Sequence, residues 1–153
     1  MSDAPPSAPS DFEPETLRFP IDVRIPSDVG YIERIVGVVV RRCAEQQLPR
    51  RFLTLNVPVA LTEALSNAIR YGNREDRSKS VRLRATVDEG SLVFEVGDEG
   101  AGFDLDACTV DPTRRENITR ENGRGLYLMR RLMDRVERYT DHGNVVRLTL
   151  HRK

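Results

Sequence analysis

Two neighbouring segments of this chain alternate apolar and polar residues, which predicts a pair of β-strands. Residues 81–87 and 92–96 each place their apolar side chains on one face and polar side chains on the other. Glu89 and Gly90 lie between them and predict a tight hairpin turn. Because the second face carries charged side chains, we expect it to meet water and the helices to pack on the apolar face.

Three further segments show the same period of two. Residues 17–25 alternate but contain Pro20, which lacks a backbone donor and therefore suits an edge strand. Residues 136–139 and 145–150 predict a closing hairpin, with its turn near residues 142–144. The chain is thus expected to form a sheet of about five short strands, a common size.

Apolar residues at steps of three and four predict three amphipathic helices. The first covers residues 29–46, with Ser27 or Asp28 as its cap. The third covers residues 125–135. The helices and strands together predict a two-layer α/β (α+β) sandwich with a mixed, mostly antiparallel sheet and helices on one face.

The second predicted helix covers residues 56–71. Asn56 is its expected N-cap, Pro58 falls in the first turn, and Gly72 is the expected stop. An apolar stripe runs along this segment, so one side of the helix should be buried.

Two segments have no such period. Residues 1–14 hold four prolines among small and acidic residues, which predicts a disordered tail ahead of one domain over residues 15–153. The polar residues 103–122 predict a long loop, which in a compact domain is usually functional or disordered.

Composition narrows the class of protein. The 153 residues include 24 basic and 24 acidic ones, so no overall field attracts nucleic acid or a membrane surface. No secretory signal and no uninterrupted apolar run of about 20 residues is seen, which favours a cytoplasmic protein. Cys43 and Cys108 lie in no metal-binding pattern and are expected to be reduced thiols.

The first candidate for chemistry is a pair of polar residues on the second helix. Glu63 and Asn67 are four residues apart, so they share one face beside the apolar stripe. The Asn67 amide oxygen suits one position of a magnesium ion, and the Glu63 carboxylate can accept a proton from a nucleophile. A hydrogen-bonded pair on a solvated face explains the same spacing.

The second candidate follows a predicted strand. Asp98 stands at the strand end, where a buried carboxylate can accept a hydrogen bond from an exocyclic amine such as that of adenine. Gly100 and Gly102 permit close approach of the backbone to a ligand. A plain turn that closes the strand is the alternative.

The third candidate is Gly123-Arg124-Gly125 at the start of the last predicted helix. Backbone N–H groups at a helix start are a natural seat for phosphate oxygens. Arg124 can add a charged contact, although it can equally serve solubility alone.

The joint pattern is ExxxNA on a helix, DxGxGF after a strand, a long loop, and GRGL at a helix start. In this order the motifs resemble the N, G1 and G2 boxes of the GHKL (HATPase) superfamily, whose fold is the Bergerat ATP-binding fold. The residues around them, 63–73 and 123–134, look like those of the bacterial anti-sigma-factor serine/threonine kinases. Tyr71 departs from the histidine that many relatives carry there.

The resemblance implies ATP and Mg²⁺ as cofactors. It implies Asn67 as the magnesium ligand, Glu63 as the catalytic base and Asp98 as the partner of the adenine amine. It also implies that five residues shape the pocket and its lid: Gly100, Gly102, Gly123, Arg124 and Gly125.

The function implied is that of an anti-sigma factor with serine/threonine kinase activity in a partner-switching system. The implied partners are a sigma factor, an anti-anti-sigma factor of the STAS type and a second copy of the chain, with no direct nucleic acid and no membrane. The alternative is a non-catalytic ATP-binding module that sequesters a protein partner. The catalytic part of a histidine kinase is disfavoured, because His142 and His151 lie in the closing hairpin.

Overall fold

A computed structural model describes residues 13–100 and 121–152. The strands are β1 (Ile21–Pro26), β2 (Ser80–Val87), β3 (Ser91–Gly97), β4 (Arg135–Thr140) and β5 (Asn144–His151). The helices are α1 (Ile32–Glu45), α2 (Val57–Asn67) and α3 (Glu121–Leu132). The predicted tail, except for its last two residues, and nearly all of the predicted loop over 103–122 lie outside the described residues, as does Cys108.

The five strands form one sheet in the order β1-β2-β3-β5-β4, and all four pairings are antiparallel. Because β1 lies at the edge, the edge position predicted from Pro20 is confirmed. The predicted sandwich with helices on one face is confirmed as well. The sequence allowed for a mixed sheet, but the described strands contain no parallel pair.

One face of the sheet forms the core together with the helices. Along β2 and β3 every second side chain is buried, and these are the ones that the alternation predicts to face inward. α2 packs between α1 and α3 and contributes Leu61 and Leu65, which are fully buried. Phe94 of β3 and Met129 of α3 belong to the same cluster.

A row of five charged residues that alternate in sign, one from each strand, crosses the open face of the sheet. Each lies directly opposite the next in the strand register, and the row reads Asp22, Arg84, Glu95, Arg147 and Glu137. Opposite charges across neighbouring strands stabilise their pairing. We refer to these five residues as the charged row.

Glu95 is the most enclosed member of the charged row. Its Oε2 accepts hydrogen bonds from the Tyr139 hydroxyl at 2.6 Å and from Arg147 Nε at 2.9 Å. Burial by itself would raise the pKa of Glu95, but the bonds from Tyr139 and Arg147 outweigh burial and hold this pKa below its ordinary value. The glutamate is therefore ionised throughout the neutral range.

The start of β1 differs from the prediction. The strand begins at Ile21 rather than at residue 17, because the chain before it is bound to α1 instead of to β2. Arg42 of α1 donates to the carbonyl oxygen of Leu17 at 2.8 Å and to that of Glu15 at 3.0 Å. Asp28 caps the following helical segment, since its carboxylate accepts from the Gly30 N–H at 2.9 Å.

The second helix begins earlier than predicted. A π-helical turn, Phe52–Asn56, leads directly into α2, so Asn56 has helical backbone angles and is not an N-cap. Its amide nitrogen instead donates to the carbonyl oxygen of Leu132 in α3 at 2.7 Å. The wider π turn accommodates Pro58, which lacks an N–H and crowds the turn before it. A second π turn, Ala68–Gly72, ends the helix where Gly72 predicts.

The helical run Phe52–Gly72 is long and apolar enough to meet a length-and-composition test for a membrane span, with a mean hydropathy of 1.2. In this fold the run is the central helix, and 56% of the 18-residue stretch that gives this hydropathy is buried inside the protein. Since core helices pass the same test, its apolar character is explained by packing between α1 and α3.

Candidate functional site

Asn67 lies at the end of α2, where the helix changes to a π turn. The residue is only 6% exposed, and among the described residues its side-chain Nδ2 has no hydrogen-bond partner. A buried donor without a partner costs about 1–3 kcal/mol. Such a cost is commonly retained where a ligand or a bound water completes the site.

Glu63 and Asn67 meet α3 at Gly125. A Cβ atom built on Gly125 would lie 2.5 Å from Glu63 Oε1 and 3.5 Å from Asn67 Nδ2. The glycine therefore lets α3 approach the two polar side chains of α2 more closely than any other residue type would. The first and third candidates of the sequence thus come together at one place.

Asp98 directly follows β3 and is 7% exposed. Its Oδ1 accepts from the backbone N–H of Gly100 at 3.0 Å and from that of Asn144 at 3.4 Å. Its own N–H donates to the carbonyl oxygen of Asn144 at 2.9 Å. Burial raises the pKa of Asp98, and the two backbone donors oppose this rise only in part.

Close approach of the backbone surrounds Asp98 with glycines. A Cβ on Gly72 would overlap the Asp98 carboxylate, and a Cβ on Gly100 would overlap the carbonyl oxygen of Gly72. Gly143, in the β4–β5 turn, has a φ of 146°, and a Cβ there would overlap the Asp98 carbonyl oxygen. The end of α2, the end of β3 and the start of β5 therefore meet without side chains between them.

Asn73 fixes this junction and is 1% exposed. Its Nδ2 donates to Ser27 Oγ and to the Ser80 carbonyl oxygen, both at 2.9 Å, and its Oδ1 accepts from the Glu99 N–H at 2.7 Å. One amide thus joins the end of α2 to the segment that follows Asp98. The sequence pattern includes Asn73 at the end of the ExxxNA segment but gives it no role.

A narrow crevice lies between α2, α3 and the inner face of the sheet. Its lining is apolar apart from four residues, and consists of Ala64, Asn67, Ala68, Val96, Asp98, Leu126, Met129, Arg138, Asn144 and Val146. Its volume is ≈ 20 Å³, room for about one water molecule. The lining combines an apolar body with a few polar groups, which is the usual make-up of a small-molecule site.

Asn144 and Arg138 are residues of this crevice that the sequence analysis did not single out for chemistry. The sequence predicts only a hairpin turn at Asn144, yet the buried Nδ2 of this residue lacks a partner among the described residues. Arg138 lies on β4 directly opposite Val146. Neither belongs to a local motif, because the pairing of β5 with β3 brings Asn144 beside Asp98 and the pairing of β4 with β5 brings Arg138 there.

The glycine-rich segment differs from its prediction. α3 begins at Glu121 rather than at residue 125, so Gly123, Arg124 and Gly125 lie inside the helix and not before it. A glycine backbone can continue a helix, and the close contact of Gly125 with α2 favours this. The side chain of Arg124 and the whole of Gly102 fall outside the described structure.

Other candidate chemistry is sparse in the described ranges. Residues 13–100 and 121–152 contain no cluster of three His, Cys, Asp or Glu side chains that could hold a metal ion. Burial raises the pKa of the Cys43 thiol to about 12, so this thiol is unreactive. His142 is almost fully exposed in the β4–β5 turn.

Comparison with known proteins gives a consistent result. Residues 25–150 match the model of the histidine kinase-like ATPase domain. The chain is 35% identical over 134 residues to the serine-protein kinase RsbW of Bacillus subtilis, covering 84% of this chain and 83% of that protein. It is 31% identical over 102 residues to the anti-sigma F factor of Clostridium beijerinckii, covering 64% of this chain and 69% of the relative. The serine-protein kinase RsbW of Staphylococcus aureus is 25% identical over 143 residues, with 87% of each chain covered.

Proposed function

Since this chain belongs to the histidine kinase-like ATPase domain family, we propose that it is an anti-sigma factor with ATP-dependent serine/threonine kinase activity. It binds a sigma factor and phosphorylates an anti-anti-sigma protein of the STAS type, which is the antagonist in a partner-switching system. The observation that carries the proposal is the meeting of Glu63 and Asn67 with Gly125, beside the crevice that ends at Asp98.

The residues present fit a nucleotide. Asp98 offers a buried acceptor to the exocyclic amine of adenine, and the apolar walls of the crevice suit a purine ring. At the neighbouring end, Asn67 Nδ2 has no partner among the described residues, and Gly125 brings α3 close to α2. We assign the phosphates and Mg²⁺ to this end. At the other end, Gly100 donates its N–H to Asp98. Gly102, Gly123 and Arg124 are assigned to the nucleotide site from the motif alone.

ATP supplies the phosphoryl group, and the Mg²⁺ held with it balances the phosphate charge. Asn67 would contribute its amide oxygen to that ion, since oxygen is the ligand that Mg²⁺ prefers. Glu63 accepts the proton of the attacking serine or threonine hydroxyl. Phosphoryl transfer asks little more of a protein than such positioning, so a small domain suffices.

The partners follow from the same assignment. The sigma factor, the antagonist and a second copy of this chain are proposed as partners, with no direct nucleic acid and no membrane. Residues 17–46 are the proposed dimer surface, and α1 presents Arg34 and Arg41 there, both exposed. Regulation of a sigma factor places the protein in the cytoplasm.

Replacing Glu63 by glutamine separates the kinase from a module that only sequesters its partner. With γ-labelled ATP and a purified STAS-type antagonist, we expect transfer to fall by at least about 100-fold in Glu63→Gln, within the usual range for loss of a general base. ATP affinity and binding of the sigma factor should stay near those of the unchanged protein.

The matched control is Glu89→Gln, which removes an exposed carboxylate in the β2–β3 turn and should leave transfer unchanged. If the unchanged protein binds ATP but transfers no label to any antagonist, the kinase assignment fails and the sequestering module stands. Equal transfer by Glu63→Gln and the unchanged protein would remove Glu63 from the reaction.

A further inference from the structure

The crevice beside Asp98 is too narrow for a purine, so some of its wall must move when a nucleotide enters. Eight of its lining residues belong to helices, to the central strand β3, or to the junction around Asp98 and Asn144, where they are held by core packing or backbone hydrogen bonds. Arg138 and Val146 are the other two lining residues. Val146 lies on β5, between two other strands, whereas Arg138 lies on the edge strand β4.

Arg138 is also the exposed residue of the lining, whereas the others are buried or half-buried. Its side chain can therefore swing outward without disturbing the packed core. A long, flexible side chain at the mouth of a narrow crevice is the part of the wall that yields at the lowest cost. We therefore expect Arg138 to change its position when a ligand enters the crevice.

The shape of the guanidinium suits the ligand that enters. None of the ten lining residues is aromatic, so within the described ranges no aromatic ring of the lining is offered to a purine. A guanidinium is planar, carries its charge in that plane and stacks well on aromatic faces. Arg138 supplies a planar cation, which the other nine lining residues lack.

We propose that Arg138 is a nucleotide-binding residue, and that its guanidinium closes over the crevice and stacks on the purine base held beside Asp98. The inference rests on the proposed ATP site and deepens it. Arg138 acts at the base and not at the phosphates, because the crevice that it lines ends at Asp98 and Asn144. Of the residues that mark the proposed phosphate end, Asn67 lines the crevice at its far side, whereas Glu63 and Gly125 do not line it.

The test compares adenosine with ADP by competition against a fluorescent ADP analogue. Arg138→Ala should weaken both ligands by the same factor, about 5- to 30-fold, the range of a cation–π stack. Arg138→Lys keeps the charge but not the plane and should lose nearly as much, whereas Arg138→Tyr keeps a flat surface and should recover most of the affinity. Arg135→Ala is the matched control, since Arg135 lies on the same strand and lines the open face of the sheet.

Loss of ADP affinity with unchanged adenosine affinity would place Arg138 at the phosphates and overturn the stacking. Unchanged affinity for both ligands, or recovery with lysine but not with tyrosine, would overturn it as well. Failure of the proposed function itself looks different, because the unchanged protein would then bind neither ligand. Melting temperatures of all four variants within a few degrees of each other show that the fold is not the cause.

Discussion

Asp98 lowers the stability of the folded protein when no ligand is bound. Burial raises its pKa, so the folded protein holds the Asp98 proton more tightly than the unfolded chain does. Above the unfolded pKa, which for an aspartate is about 3.9, ionisation of this group therefore favours unfolding. A buried carboxyl group whose pKa is raised by burial is typical of a functional site.

Asp98→Asn should therefore separate binding from stability. The asparagine keeps an oxygen for the Gly100 and Asn144 donors but removes the buried charge, so we expect a melting temperature at pH 7 equal to or above that of the unchanged protein. ATP binding should become undetectable by calorimetry, since the acceptor for the adenine amine then competes with a donor. A fall in melting temperature with ATP affinity intact would contradict both expectations.

At the scale of single residues, the sequence predicts those that belong to local motifs and misses those that meet only through the fold. Glu63 and Asn67 share a helix face, and Asp98 ends a strand, so spacing alone selects them. Asn144 and Arg138 reach the crevice only because β5 pairs with β3 and β4 pairs with β5. No local spacing encodes such a pairing.

At the scale of elements, α2 and α3 run antiparallel and touch at two levels. Asn56 reaches the carbonyl oxygen of Leu132 at one level, and Glu63 approaches Gly125 at the other. The position of the proposed base thus depends on a helix that follows it by about 60 residues. Any residue larger than glycine at 125 must displace the Glu63 carboxylate.

Gly125→Ala should therefore reduce activity more than stability. The new Cβ would lie 2.5 Å from Glu63 Oε1, the mobile end of a side chain, so Glu63 moves away at small cost to the fold. We expect phosphate transfer to fall by about tenfold or more, because misplacing a reacting group by about 1 Å costs up to about 100-fold. The melting temperature should change by only a few degrees.

Gly37→Ala is the matched control for this substitution. Gly37 also lies within a helix, α1, but the nearest atom to a Cβ there is Arg41 Nη1 at 4.0 Å. Alanine is favoured over glycine within helices by about 0.5–1 kcal/mol, so Gly37→Ala should raise the melting temperature and leave transfer unchanged. Equal transfer by both variants would show that α3 does not position Glu63.

Helix ends were the least predictable part of the elements. Pro58 and Asn56 together give a strong start signal, yet a π turn carries the helix through them because Phe52 is buried one turn earlier. Gly123 and Gly125 suggest a loop before a helix, yet both lie within α3. In each case tertiary packing decides what local propensity leaves open.

For the molecule as a whole, the charged row crosses all five strands on the open face of the sheet. Glu95 at its centre contacts Arg84 and Arg147, so the row couples β2 to β5 through β3. Because the pKa of Glu95 is lowered, the stabilisation that ionised Glu95 gives the fold is complete above the ordinary pKa of a glutamate. The contribution is lost as the pH falls through the folded pKa of Glu95.

Glu95→Gln should accordingly destabilise the protein in a pH-dependent way. At pH 7 we expect a loss of about 1.5–3 kcal/mol in the free energy of unfolding, the usual range for hydrogen bonds to a charged group. The difference from the unchanged protein should shrink below about pH 4 and vanish once Glu95 is protonated in both states. Urea titrations at a series of pH values measure this, and a difference independent of pH would contradict it.

The charged row also bears on how copies of this chain behave at high concentration. With equal numbers of acidic and basic residues, the chain has no net charge to keep copies apart near neutral pH. Both ends of the row are acidic, since Asp22 lies on one edge strand and Glu137 on the other. Two sheets that joined edge to edge at this row would bring carboxylates together, which opposes growth into fibrils at neutral pH. Acidification removes that repulsion together with the stabilising contribution of Glu95. The basic residues then give the chain a net positive charge, so repulsion between whole molecules replaces the repulsion at the row.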